Sequence, residues 1–200
     1  MASSAHLSPD SMQTKKQELV RTEIWKAAVN LFYSAGFENV TVEQIASEAG
    51  ISRRTFFRYF SSKEDLMSAT IRSYGAALEE AIARQKAGAS PLESAKLAVS
   101  EVLAPHFPSE TTERVIHVGR RSPAARSAQY LAVSEVEDRL AGAFSLRAKR
   151  KGIRSLQDRI LASITLSATQ LCSTTWVEQQ DRPMLELIDE VFREISQLSK

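Results

Sequence analysis

Between Thr41 and Ser52 the chain reads TVEQIASEAGIS, and few other stretches constrain its fold as tightly. Thr41 and Gln44 match a capping box, in which the threonine oxygen takes the Gln44 amide and the glutamine reaches back. Val40 and Ile45 stand where a hydrophobic staple would fasten the helix entry. Gly50 ends the helix, Ile51 turns inward, and Ser52 can cap the next helix at once. Two short helices joined by a tight glycine-containing turn form a helix-turn-helix pattern.

Signals on either side extend this reading. Ile24, Ala28, Leu31 and Ala35 recur at spacings of three and four, which predicts a helix over about Leu19–Ala35. Gly36 stops it, because glycine accepts the left-handed conformation of a helix end. Ser61-Ser62-Lys63-Glu64 matches another capping box, opening a long helix to about Lys86. AGASP breaks that helix. Five more are expected over Leu92–Leu103, Glu110–Val118, Pro123–Arg147, Ser155–Gln179 and Met184–Leu198. Only 7 Gly and 6 Pro punctuate the 200 residues, and alternating β-branched runs are scarce. The expected fold is therefore all-α, with about nine helices. Residues 1–17, Ser-rich at their start, are expected to form a disordered arm. Residues 18–63 are expected to form the helix-turn-helix head, and 64–200 a larger helical domain.

Composition excludes several classes. A single cysteine, Cys172, allows no intramolecular disulfide framework, and a cytoplasmic setting is expected. No apolar stretch approaches the roughly 20 residues that span a bilayer, so no membrane association is expected. His6, His106 and His117 are far apart, and no nucleophile–base pair or metal-spaced cluster appears. No enzymatic activity, metal or cofactor is expected. The net charge of +2 announces no polyanion partner, so any nucleic-acid contact must come from local clustering.

That clustering lies in ISRRTFFRYFSSKE, residues 51–64, which has no acid between Gly50 and Lys63. At 100° per residue, Phe56 and Phe60 fall on one side and can pack against Ile45, Ala46 and Leu31. Arg54, Thr55, Arg58 and Tyr59 fall on the other, with Arg53 and Phe57 at the start and flank. The outward face suits a DNA major groove, where arginine can bond both acceptors of a guanine edge. Hydroxyls and Lys63 suit phosphate oxygens. A basic helix on an ordinary interaction bundle or helical enzyme is the alternative.

Residues 40–71, VTVEQIASEAGISRRTFFRYFSSKEDLMSATI, resemble the DNA-binding head of TetR-family transcriptional regulators; the likeness runs over about Arg21–Ile71. It implies a three-helix head and a helical C-terminal domain that dimerises and binds a small-molecule inducer. By position it implies that Ser52, Arg53, Arg54 and Thr55 contact bases and phosphates, and that Lys63 binds phosphate. Thr41 and Arg58 join them as DNA-facing candidates. Phe57 stands where the family usually has tyrosine; it either meets a thymine methyl or fills the flank of the head. The Tyr59 hydroxyl can replace the lost phosphate contact. Glu43, in the preceding helix, would repel phosphate or read a cytosine amino group. Lys15, Lys16 and Arg21 read as a solvated arm, or as one that touches the minor groove.

The implied function is a dimeric regulator of a double-stranded DNA operator, most simply a repressor released by an apolar or amphipathic molecule. Tyr74, Phe107, Tyr130, Thr169 and Trp176 are candidate pocket residues, large apolar bodies with a few polar tips. Met184, Ile188, Val191, Ile195 and Leu198 form a seam at spacings of four and three. With Ile164 and Leu171, the residues Ile188, Val191 and Ile195 are expected at a homodimer interface. A regulator without an inducer, with a solid C-terminal core, is the second expectation. The basic runs RRSPAAR and RAKRKGIR read as solvated loops, or as attractors for an anionic ligand tail.

Overall fold

The computed structural model describes residues 9–85, 88–150 and 154–198. Among them the chain forms nine α-helices and one 3-10 turn, with no strand. The helices are α1 (Pro9–Ala35), α2 (Val42–Glu48), α3 (Arg53–Tyr59), α4 (Lys63–Arg84), α5 (Pro91–Leu103), α6 (Glu110–Arg121), α7 (Pro123–Arg147), α8 (Leu156–Glu178) and α9 (Met184–Leu198). The 3-10 turn, Ala104–His106, follows α5. No described helix is long and apolar enough to cross a membrane.

Serine and threonine caps set most starts. Ser52, Ser62, Ser90, Ser109, Ser122 and Ser155 each accept an amide from the first turn of the following helix. At α4 the cap is Ser62, the second serine of the expected start, and it accepts the Asp65 amide. Asp65 also accepts the Ser61 amide at 3.0 Å. Gly36 and Gly50 take φ of +86° and +65°, the left-handed geometry their stop positions require.

The first helix corrects one expectation. Instead of opening near Leu19, α1 begins at Pro9, so residues 9–17 are helical rather than an arm. Glutamine, lysine and glutamate in this stretch are good helix formers, and proline suits a first turn that needs no N–H partner. Residues 1–8 lie outside the described residues. Met12 and Leu19 are exposed, and burial begins in earnest at Ile24.

Two apolar cores result. The first gathers Ile24, Phe32, Phe37, Ile45, Phe56, Phe60 and Leu66, and extends into Val115, Val118, Ala125 and Ala128 of α6 and α7. The head thus shares its interior with the body rather than closing on itself, as a unit this small encloses little volume on its own. The second core is the body, where α4 and α7 run closely packed. Gly75 makes this approach possible: a Cβ there would lie 2.5 Å from both methyl carbons of Val136.

The seam expected on α9 turns inward except at its last member, Leu198, which is exposed. Met184 and Ile188 are buried in the body core, with Val191 and Ile195 packed against it. Ile188 has no exposed surface, so it cannot contact a second copy, which corrects its assignment to a dimer interface. A regular stripe requires a cover, and here α5 and α8 of the same chain supply it.

Candidate DNA-binding head

The turn between α2 and α3 is fixed from both ends. The Gln44 amide donates to Thr41 Oγ1 at 3.2 Å, and the Thr41 amide donates to Gln44 Oε1 at 2.8 Å. The Ile51 amide bonds the Ala46 carbonyl at 2.9 Å across Gly50. Ser52 Oγ accepts the Thr55 amide at 3.1 Å and lies 2.9 Å from Thr55 Oγ1. Phe56 and Phe60 are buried and anchor α3 from beneath. These contacts aim the first turn of α3 at solvent.

Ser52, Arg53, Arg54, Phe57 and Arg58 are exposed, and Thr55 and Tyr59 are half-buried. Arg54, Thr55, Phe57 and Arg58 line a surface groove of about 580 Å³. The Arg53 Nε lies 3.1 Å from Glu43 Oε1 on α2, and its guanidinium lies 5.4 Å from the Phe57 ring. Phe57 stands edge-on to Phe56 with centroids 5.4 Å apart, and 45% of its surface is exposed. The Arg58 guanidinium lies over the Tyr59 ring and donates to its hydroxyl at 3.4 Å. Glu43 therefore has a partner within the head. The structure brings together all the DNA-facing residues expected on α3, with Thr41 exposed at the start of α2.

Lys63 does something else. Its ammonium donates to the carbonyls of Phe37, Glu38 and Val40 at 2.8, 3.2 and 3.0 Å. An ammonium has three protons, and these three carbonyls use them all. Lys63 latches the α1–α2 loop to the start of α4, which corrects its assignment to a phosphate contact.

That loop is also tied to the body. Ser122, which caps α7, donates to Glu38 Oε1 at 2.5 Å. This bond, foremost, holds the Glu38 carboxyl below the ordinary carboxylate range. Ser68 donates to the Ala128 carbonyl at 2.7 Å, and Arg114 donates to Asn30 at 2.7 Å while lying over Tyr33. None of these joints follows a local sequence signal, because each pairs residues more than fifty positions apart.

The expected pocket residues are partly gathered and partly scattered. Phe107 and Trp176 are buried with ring centroids 5.0 Å apart. Tyr74 is half-buried beside His106, with ring centroids 5.5 Å apart. Burial raises the Tyr74 pKa. Thr169 donates to the Thr165 carbonyl at 2.7 Å. Tyr130 is 75% exposed on α7, which removes it from any interior pocket of the single chain. The period that placed it could not say which side of α7 faces α4. A cleft of about 210 Å³ lies elsewhere, between α5 and α9.

Several arginines of the basic runs serve the fold. Arg120 pairs with Glu178, Arg126 bonds the carbonyls of Gly119 and Arg120, and Arg150 pairs with buried Asp158. Arg154 pairs with Asp138 at 2.9 Å; residues 151–153 lie outside the described residues. Cys172 is buried, and that burial pushes its thiol up to about 11, so it stays protonated at neutral pH.

Residues 24–70 match the model of the bacterial regulatory proteins, tetR family. The chain is 29% identical over 180 residues to the transcriptional regulator TcmR of Streptomyces glaucescens, covering 85% of this chain and 78% of that one. The head of this chain, residues 24–70, is thus a TetR-family domain. Its helix-turn-helix is that family's DNA-binding head, and the protein is a DNA-binding transcriptional regulator. Solved TetR-family structures share the fold. FadR of Bacillus subtilis, in complex with stearoyl-CoA, aligns at a TM-score of 0.60 and 21% identity, covering 86% of this chain and 95% of that one. FadR of Thermus thermophilus, in complex with lauroyl-CoA, aligns at 0.53 and 24%, covering 86% and 91%.

Proposed function

We propose that this TetR-family protein is a cytoplasmic, dimeric repressor, released from its operator by an apolar or amphipathic small molecule. The outer face of α3 carries the proposal: three exposed arginines on a helix anchored by buried phenylalanines and short enough to enter a major groove. Arg53, Arg54 and Thr55 meet bases, while Thr41, Ser52, Arg58 and Tyr59 hold the backbone. Dimerisation uses α8, where Leu156, Ile160 and Leu171 are exposed on either side of half-buried Ile164. A two-fold pair then presents two α3 helices to half-sites one DNA turn apart or more.

The inducer enters beside Tyr74, Phe107 and Trp176, where α4, the 3-10 turn and α8 meet. Phe107 packs on Trp176 and Tyr74 on His106, so the ligand must favour an opened state in order to bind. It releases DNA only by preferring that state over the DNA-bound one. The acyl-CoA complexes of the two FadR proteins make acyl chains the first ligands to try. A thermal-shift panel of acyl-CoA esters, free fatty acids and aromatic drugs tests this. A hit should raise Tm and lower operator affinity, and operator should weaken ligand binding by that same factor. The close packing of Phe107 on Trp176 favours a second reading, a regulator without an inducer. That reading predicts no shift with any compound and operator binding indifferent to all.

A further inference from the structure

An acid on a DNA-facing surface is costly, because it repels phosphate whatever the base sequence. Glu43 stands in such a place, exposed at the first turn of α2 and facing the start of α3. Its carboxylate meets Arg53 at Nε, 3.1 Å away. The two Nη nitrogens, the pair that matches the O6 and N7 acceptors of guanine, are not the atoms this contact uses. The Phe57 ring supports the guanidinium at 5.4 Å, and buried Phe56 holds that ring edge-on. Arg53 is thus flanked by a carboxylate on α2 and a ring on α3. In water such an exposed pair is worth little. In a groove that excludes water the attraction grows, and a side chain already oriented loses less freedom on binding.

We propose that Glu43 is a positioning residue for base readout. With Phe57 it holds the Arg53 guanidinium in one orientation, so that the head demands guanine at one position of each half-site and binds all other DNA less well. This rests on the DNA-binding reading above.

The test uses the full-length protein and a site selected from a random DNA pool. Affinity is measured at fixed salt for that site, for single-base variants of it, and for unrelated DNA. The proteins are wild type, Glu43→Ala, Glu43→Gln, Arg53→Ala and the Glu43→Ala/Arg53→Ala double variant. Glu43→Ala should bind unrelated DNA as tightly as wild type or several-fold tighter. It should lose roughly tenfold discrimination at the same base pair where Arg53→Ala loses it, with no further loss in the double variant. Glu43→Gln keeps an acceptor oxygen and the helical shape, and should keep part of the discrimination. Because all four variants have their melting midpoints compared with wild type, a folding defect is read separately from a loss of base preference.

A uniform gain in affinity with unchanged base preference would overturn the proposal, leaving Glu43 as mere repulsion. Loss at a different base pair, additive with Arg53→Ala, would overturn it too, making Glu43 a direct reader of cytosine. Wild-type protein that selects no DNA sequence would sink the DNA-binding reading itself, and this proposal with it.

Discussion

Helices α3 and α9 are both two-faced, and they end up in opposite situations. α3 buries Phe56 and presents arginines outward, with no described element covering them. α9 buries Met184, Leu187, Ile188 and Phe192 against its own body and leaves mainly polar groups outside. An apolar stripe says that something must cover a helix, without saying what. A basic outer face states the chemistry of its partner directly, because phosphates and guanine edges are what arginine forks match. The head therefore declares its target in its residues, while the body conceals its partners in packing.

The largest expected effect separates a stripe covered from within from one left open. Ile188→Ala should cost about 2–5 kcal/mol in urea unfolding, because it leaves a cavity in the body core. Leu171→Ala, at an exposed α8 position, should change the stability of the dilute single chain by less than about 0.5 kcal/mol. Its effect should appear as weaker self-association in sedimentation. Equal losses of chain stability from both would erase the contrast.

A somewhat smaller loss is expected from Gly75→Ala, which pushes a methyl against Val136 and should cost about 1–3 kcal/mol in thermal unfolding. Operator preference should survive, since no α3 contact changes. Next comes Lys63→Ala, which removes three charge-assisted bonds at a partly exposed site and should cost about 1–2 kcal/mol of stability. Its salt slope for DNA binding should match wild type. A slope flatter by about one unit would return Lys63 to the phosphate backbone.

The smallest effect contrasts the caps of the two regions. Thr41–Gln44 and Ser52–Thr55 are neutral, whereas Ser155 pairs with Asp158, a buried carboxylate. Burial pushes the Asp158 pKa up, but bonds from Ser155 and Arg150 outweigh it and leave the group below its ordinary 3.8. A depressed pKa contributes stability that is present above the unfolded value and lost as pH falls through the folded one. Unfolding free energy should therefore drop more steeply below about pH 4 in wild type than in Asp158→Asn. Parallel curves would mean that Asp158 is not held in its charged form by the fold.

These contrasts also explain what could be read from residues alone. Helix boundaries were legible wherever a serine, threonine or glycine acts on its own neighbourhood, as at Thr41, Gly50 and Ser52. The two faces of α3 followed from periodicity because the helix is short and its outer residues, Phe57 apart, are polar or basic. The carbonyls that engage Lys63 lie 23 to 26 positions earlier, so no local pattern announces them. Ile188 and Tyr130 were misplaced for a related reason: spacing gives the faces of a helix, and only tertiary packing decides which face turns inward. The Glu38–Ser122 and Asn30–Arg114 joints are long-range pairs of ordinary polar residues, silent until the chain is folded.

The central claim is that the exposed face of α3 reads DNA, and base-resolved binding of wild type and Arg54→Ala to sites selected from a random pool tests it most directly. Wild type should select an inverted repeat with half-sites one turn apart or more. Arg54→Ala should lose preference at one base pair in each half-site, at a cost of about 1–3 kcal/mol. An unchanged sequence preference in Arg54→Ala, or no preference in wild type, would contradict it.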